Sequence, residues 1–372
     1  MKIAIIQEWL MAMGGSEKVV KAIADIFPEA DIYALVGDDA YLKEQGFVQQ
    51  KIRTSIIQKM PFGKKKYKSY LPLFPFAVEQ FDLSEYDIII SSSHAVAKGV
   101  LTTAEQLHIT YCHSPIRYAW DLHHQYLKEE KLGFGIKGLL ARYFLHRIRI
   151  WDIVSANRPD YFISNSNFIG RRIKKIYNKE STTIYPPIEV EDFTLEMVKD
   201  DYYVTSSRMV PYKKMDIIVD AFAKMPDKKL IVIGDGPDYN KIKEKGAPNI
   251  EFKGYLPFKE LILHLQKAKA FVFAAIEDFG MLPVEAQACG TPMIALGKGG
   301  SLETVKDGIT GVLYFEQTSE SIINAVAKFE TMTFNYLEIR KHAETFSFIE
   351  FKSQLLNFIK EKAELKWPNL KF

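Results

Sequence analysis

The chain has little of what marks secreted, membrane-spanning or nucleic-acid-binding proteins. Its two cysteines, Cys112 and Cys289, lie far apart, each beside an apolar strand-like segment. That excludes a disulfide framework or a metal knuckle, and both are expected to be reduced. No apolar run approaches the roughly 20 residues needed to cross a bilayer. The first residues, MKIAIIQEWL, lack the basic lead-in and small-residue cleavage site of a signal peptide, and read as a buried first strand of a cytoplasmic protein. A net charge of +3 is too small to imply a nucleic-acid partner. There is no low-complexity tract or short-period repeat, which excludes a solenoid. The first strand is not followed by G-x-G-x-x-G, which speaks against a nicotinamide dehydrogenase.

What is present is a globular composition, 47% hydrophobic and 26% charged over 372 residues, enough for two domains with separate cores. Short apolar runs ending in Ser, Gly or Pro alternate with longer stretches at helical spacing. In the first half these are KIAIIQEW, ADIYALV, YDIIISSS, HITYCHS, YFISNS and TTIYPP; in the second, YYVTSSR, KKLIVIGDGP, IEFKGYL, AFVFAAI, TPMIALG and GVLYF. Such alternation predicts α/β architecture, two doubly wound parallel sheets covered by helices. Pro186 and Pro187 stop a strand before an irregular acidic segment, which puts the domain boundary near residue 195.

Ligands of such sheets sit beyond the carboxyl ends of the strands. Gly14 and Gly15 precede a helix whose first turn would offer free N–H groups, although a GG pair is more often a tight turn. In SSRMVPYKK, Arg208 and Lys213 flank Pro211 just past a strand, where a guanidinium and an ammonium would neutralise a diphosphate. Gly234 and Gly236 in IVIGDGPD let the main chain approach a ligand. In IEDFGMLPVEAQACG, Pro283 near a helix start is expected to leave Phe279, Gly280, Met281 and Leu282 in the loop, with Glu277 at the strand end and Glu285 in the first helical turn. A carboxylate accepts hydrogen bonds from neighbouring hydroxyls, as sugars and riboses present them. His113 ends an apolar strand before Pro115; His94 is similarly placed and reads as a structural or acceptor-side residue.

The E-x7-E spacing from Glu277 to Glu285 with its FG-x-x-P core, the SRMVPYKK segment, the IGDGP loop and the N-terminal GGSE resemble retaining glycosyltransferases of family 4. The narrower resemblance, carried by the segment from KKKYKSYLPLFPF to YCHSPIRYAWD, is to bacterial mannosyltransferases of O-antigen and exopolysaccharide assembly. The resemblance implies the GT-B fold: two Rossmann-like domains facing across a cleft, an acceptor-binding one over 1–195 and a nucleotide-sugar-binding one over 196–345, with a helical segment, 346–372, crossing back to the first. It assigns His113, Arg208, Lys213 and Glu277 to catalysis. It assigns Gly14, Gly15, Gly234, Gly236, Phe279, Gly280, Met281, Leu282 and Glu285 to donor binding, Glu285 on the ribose and Glu277 on sugar hydroxyls. Lys214 stands where the family often has glycine.

No Asp-x-Asp motif occurs in the strand-end loops, so no cofactor and no metal are expected, only a nucleotide-sugar co-substrate. The resemblance implies GDP-mannose as the donor, with a UDP-sugar as the alternative, and a glycan or a lipid-linked glycan as the acceptor. A nucleotide-sugar epimerase and a non-catalytic nucleotide- or glycan-binding protein are the competing readings. In KMPFGKKKYKSYLPLFPF, Lys59, Lys64, Lys65, Lys66 and Lys68 alternate with Phe62, Tyr67, Tyr70, Phe74 and Phe76, a composition suited to an anionic inner membrane or to a solvated loop over an apolar wall.

Overall fold

The computed structural model describes residues 1–47, 49–129, 132, 133 and 135–368. The chain forms two compact units. One is Met1–Tyr185 together with the chain from Phe351 onward, the other Pro186–Glu350.

The first unit holds a seven-stranded parallel sheet: β1 (Ile3–Leu10), β2 (Asp31–Gly37), β3 (Ile52–Thr54), β4 (Ile88–Ser93), β5 (Leu107–Cys112), β6 (Tyr161–Ser164) and β7 (Thr182–Thr183). Their order is β3-β2-β1-β4-β5-β6-β7. Strands such as Ile88–Ser93 are buried along their whole length, as helices on both faces require. The second unit holds six parallel strands: β8 (Tyr203–Ser206), β9 (Leu230–Ile233), β10 (Ile250–Gly254), β11 (Ala270–Phe273), β12 (Met293–Leu296) and β13 (Gly311–Tyr314), ordered β10-β9-β8-β11-β12-β13. Strand order reverses between β1 and β4 in one sheet and between β8 and β11 in the other. Those are the places where doubly wound sheets open a crevice.

The boundary lies before the expected residue 195. Val190 and Phe193 are buried in the second unit, the Phe193 ring meets that of Phe258 at 5.9 Å, and Ile188 bridges to Ser347. These apolar contacts pull the segment after Pro187 into the second core. Phe346 likewise stays there, its ring 5.5 Å from Phe279, so the return to the first unit starts at Phe351 and not at 346. The helix Phe348–Lys366 then packs on β5 and β6: Phe351 lies 6.0 Å from Tyr111, and Phe358 lies 6.3 Å from Tyr161.

Candidate active site: two strand-end clusters

In the second unit, the loops after β8 and β11 flank the reversal of strand order. The first carries Arg208, exposed, and Lys213 in a short 3-10 turn, Pro211–Lys213. The second carries Glu277. Lys213 Nζ donates directly to Glu277 Oε1, both side chains being mostly buried. The structure therefore joins two residues that sequence spacing left 64 positions apart. The turn is held by Lys213 N–H donating to Val210 O at 3.0 Å, and Lys214 follows in the left-handed region at φ +56°.

The Glu277 loop differs from its expected form. The helix starts at Met281, so Met281, Leu282 and Pro283 form its first turn and only Phe279 and Gly280 precede it. Proline costs nothing there because first-turn N–H groups have no intrahelical acceptor, so Pro283 does not delay the helix. Gly280 caps it at φ +89°, a conformation that favours glycine. The Phe279 side chain is core, buried against Phe346, leaving only its backbone for a ligand. Glu285 falls in the second turn, not the first, and is 5% exposed.

Gly234 and Gly236 have a structural task. A Cβ on Gly234 would stand 2.0 Å from Ser207 O, and one on Gly236 would stand 2.5 Å from Met209 O, so both let the β9 loop lie on the β8 loop that carries Arg208. Sequence reading did not single out Gly300. Its N–H donates to Glu277 O at 2.9 Å, and a Cβ there would stand 2.3 Å from Phe279 O. Its signal was the GKGG run after β12, whose last two glycines, Gly299 and Gly300, lie flat against the Glu277 loop.

The first unit gathers a second cluster at the ends of β1, β4 and β5. Gly14 caps the helix Gly15–Ile26, but its N–H donates to Glu17 Oε2 at 3.1 Å, and Ser16 Oγ donates to the same oxygen at 2.9 Å. Gly15 is already the first residue of the helix and only Gly14 precedes it; a ligand phosphate reaching the Gly14 amide has to displace the helix's own carboxylate. His113 is 9% exposed, and its Nε2 lies 2.8 Å from Ser92 Oγ. Burial, aided by the neighbouring His94, takes its pKa down to about 3, so the ring is neutral at pH 7.

Glu8, on β1, organises this cluster, and sequence reading missed it. It is fully buried, and its Oε1 accepts from the N–H groups of His94, Ala95 and Ala97 at 3.1, 2.8 and 3.0 Å and from Ser93 Oγ at 3.2 Å. Its Oε2 lies 3.1 Å from His94 Nδ1. Burial alone would raise its pKa, but the charge and hydrogen bond of His94 and the amides of Ala97 and Ala95 bring it to about 2. Burial likewise works against the charged form of His94, yet the Glu8 carboxylate raises its pKa overall. The His94 ring stands on edge against Trp9 at 4.5 Å and lies 6.3 Å from that of His113. The result is an anchored imidazole whose charged form Glu8 favours, beside a neutral one. Among the described residues no group of three or more His, Cys, Asp or Glu could hold a metal ion.

Residues 188–346 match the family model described as glycosyl transferases group 1. The GDP-mannose-dependent alpha-(1-6)-phosphatidylinositol monomannoside mannosyltransferase of Mycolicibacterium smegmatis is 31% identical over 140 residues, covering 33% of this chain and 37% of that protein. The D-inositol 3-phosphate glycosyltransferase of Mycobacterium bovis is 36% identical over 183 residues, covering 42% of this chain and 38% of its own. The chain thus matches well under half the length of either relative. Among solved structures, HepE of Anabaena in complex with UDP superposes with a TM-score of 0.70 at 19% identity, covering 97% of this chain and 100% of that one. At that identity the likeness carries the fold alone: two parallel-sheet, Rossmann-like domains of the GT-B kind.

Proposed function

We propose that this chain, whose residues 188–346 form a glycosyl transferases group 1 domain, is a retaining hexosyltransferase. It moves mannose from GDP-mannose to a lipid-linked or oligosaccharide acceptor in bacterial surface polysaccharide synthesis. The observation that carries the reading is the Lys213–Glu277 pair at the reversal of strand order, with Arg208 exposed on the same loop as Lys213. A mutually neutralised pair gives way to a donor without leaving net charge behind. Glu277 accepts from sugar hydroxyls and Glu285 from the ribose, while Lys213 and Arg208 donate to the diphosphate.

The transition state resembles an oxocarbenium ion, and negative charge grows on the departing phosphate. Fixed cations aimed at that oxygen lower the barrier most, and losing one such donor costs ~2.7 to 4 kcal/mol. The acceptor hydroxyl attacks from the leaving-group face and its proton passes to the phosphate, so Glu277 positions the sugar and forms no bond to it. His113, neutral, hydrogen-bonds a sugar hydroxyl. The two cationic side chains meet the diphosphate's charge, so no metal or other cofactor is invoked. The relative from Mycolicibacterium smegmatis supports mannose and guanine; the UDP bound to HepE supports the second reading, a UDP-sugar donor. The enzyme is placed in the cytoplasm, with the Lys-rich segment touching the inner face of the membrane.

Nucleotide sugars are screened for thermal stabilisation, and products are then analysed with acceptor present and absent. GDP-mannose is expected to stabilise most and to be consumed only with acceptor; release of free or epimerised sugar from donor alone supports an epimerase instead. Arg208→Ala and Lys213→Ala are each expected to slow transfer about 100-fold or more. Full transfer rates in both variants overturn the proposal.

A further inference from the structure

The helix Gly135–Ser155 is anchored along one face and bare along the other. Its inner face is Leu145, Ile148 and Asp152, all buried; Asp152 pairs with the buried Lys98 and accepts from Trp120 Nε1 at 2.7 Å and Tyr177 OH at 3.0 Å. The opposite face carries Ile136, Leu139, Tyr143, Ile150 and Val154 at helical spacing, and Ile136 and Leu139 are 79% and 68% exposed. A contiguous exposed apolar stripe of this kind marks a contact surface for protein or lipid. His146 and Arg147 share this face and Lys137 flanks it, whereas Arg142 and Arg149 turn back onto the protein, donating to Gly133 O at 2.8 Å and Ala119 O at 3.0 Å; the only acidic residue of the helix is the buried Asp152.

We propose that this outer face lies on an anionic lipid bilayer, with the Lys-rich segment beside it as part of the same surface. Leu71, from the 3-10 stretch Tyr67–Leu73, packs on the cluster of the helix's inner residues Leu145 and Ile148, so the two elements are neighbours through that buried side. Only part of the Lys-rich segment faces outward. Phe74 is buried and the Tyr67 ring lies 5.4 Å from that of Trp9, whereas Phe62 and Phe76 are exposed, Phe62 with the Lys66 ammonium over its ring at 5.4 Å. Apolar and basic side chains alternating on one face suit the headgroup boundary, where Lys and Arg stems lie along apolar surface with their charges among lipid phosphates. A second copy of the chain is disfavoured, because a two-fold contact would set these like charges against each other. At about 30 Å the helix is long. Yet no helix among the described residues is long and apolar enough to cross a membrane, so this one lies flat.

Lipid-linked acceptors give the surface a use under the proposed transferase reading, but vesicle binding is read without any sugar transfer, so each proposal fails separately. The full chain is sedimented with phosphatidylcholine vesicles and with vesicles that also contain phosphatidylglycerol. It is expected to bind only the second kind and to be released by salt. Lys137→Glu and Arg147→Glu are each expected to weaken binding at least about fivefold. Ile136→Ser with Tyr143→Ser is expected to weaken it tenfold or more, with melting temperature unchanged in all variants. A polarity-sensitive fluorophore on Leu139→Cys, the native cysteines being buried, is expected to shift to the blue on anionic vesicles. Absence of vesicle binding, binding indifferent to the helix variants, unshifted emission, or a soluble dimer that the Ile136/Tyr143 pair dissociates each overturns the proposal.

Discussion

Lys214 shows what one residue can cost. It holds φ +56° after the Lys213 turn, a left-handed backbone that strains any residue with a Cβ by about 1 to 2 kcal/mol. Glycine relieves that strain and returns part of the gain through chain entropy, so Lys214→Gly is expected to stabilise the fold by about 0.5 kcal/mol in urea unfolding; a loss of stability would contradict this. Buried histidines act at the same scale. Burial, with Arg158 nearby, holds His108 at about 3, as burial with His94 does His113. Unfolded, each takes up a proton near pH 6.5, so between those values protons favour the unfolded chain. Stability is expected to fall with pH below 6.5 by about 1.4 kcal/mol per unit for each ring. Glu8, depressed to about 2, adds a further loss below its ordinary value of 4.5, while His94, raised, acts in the opposite sense. Melting temperature measured from pH 7 to 5 should drop, and His108→Gln should flatten the slope. Glu8 itself was invisible in the sequence, because its partners lie 85 to 89 positions away and meet it only through the pairing of β1 with β4. Lys213 and Glu277 were legible as chemistry, but not as a pair.

Twelve strands were readable because each lies in or beside a short apolar run closed by Ser, Gly or Pro. Ile52–Thr54 was not: an edge strand of three half-buried residues carries no such run. The helix Gly135–Ser155 also drew no functional reading, since its outer apolar residues look like core until the fold shows them exposed among the described residues. Loops explain the remaining errors, because a loop's shape is set by neighbours distant in sequence. The Glu277 loop rests on Gly300, where a methyl group meets backbone that cannot swing aside. Gly300→Ala is therefore expected to cost about 2 kcal/mol or more, and to weaken donor binding together with stability. Calorimetry with a nucleotide sugar checks both; a variant of normal stability and affinity would show the loop to be held elsewhere.

At the scale of the molecule, the first unit is discontinuous. Phe351, Leu355, Phe358, Ile359 and Ala363, all buried, come from the far end of the chain, after the whole second unit. Deleting large core side chains costs roughly 2 to 5 kcal/mol each, so losing four of them is comparable to a usual domain's whole stability of about 5 to 15 kcal/mol. A chain stopped after Glu350 is expected to lose near-ultraviolet dichroism from the first unit's aromatic residues, while the second unit stays folded; a fully folded truncated chain would refute this. Synthesis on the ribosome gives the discontinuity a temporal meaning. Residues 186–350 can close as soon as they emerge, whereas the earlier-made portion waits for the stretch from Phe351 onward before its last layer is in place. The part translated first is the part that matures last, and during that interval its unfinished flank is the natural target for a chaperone.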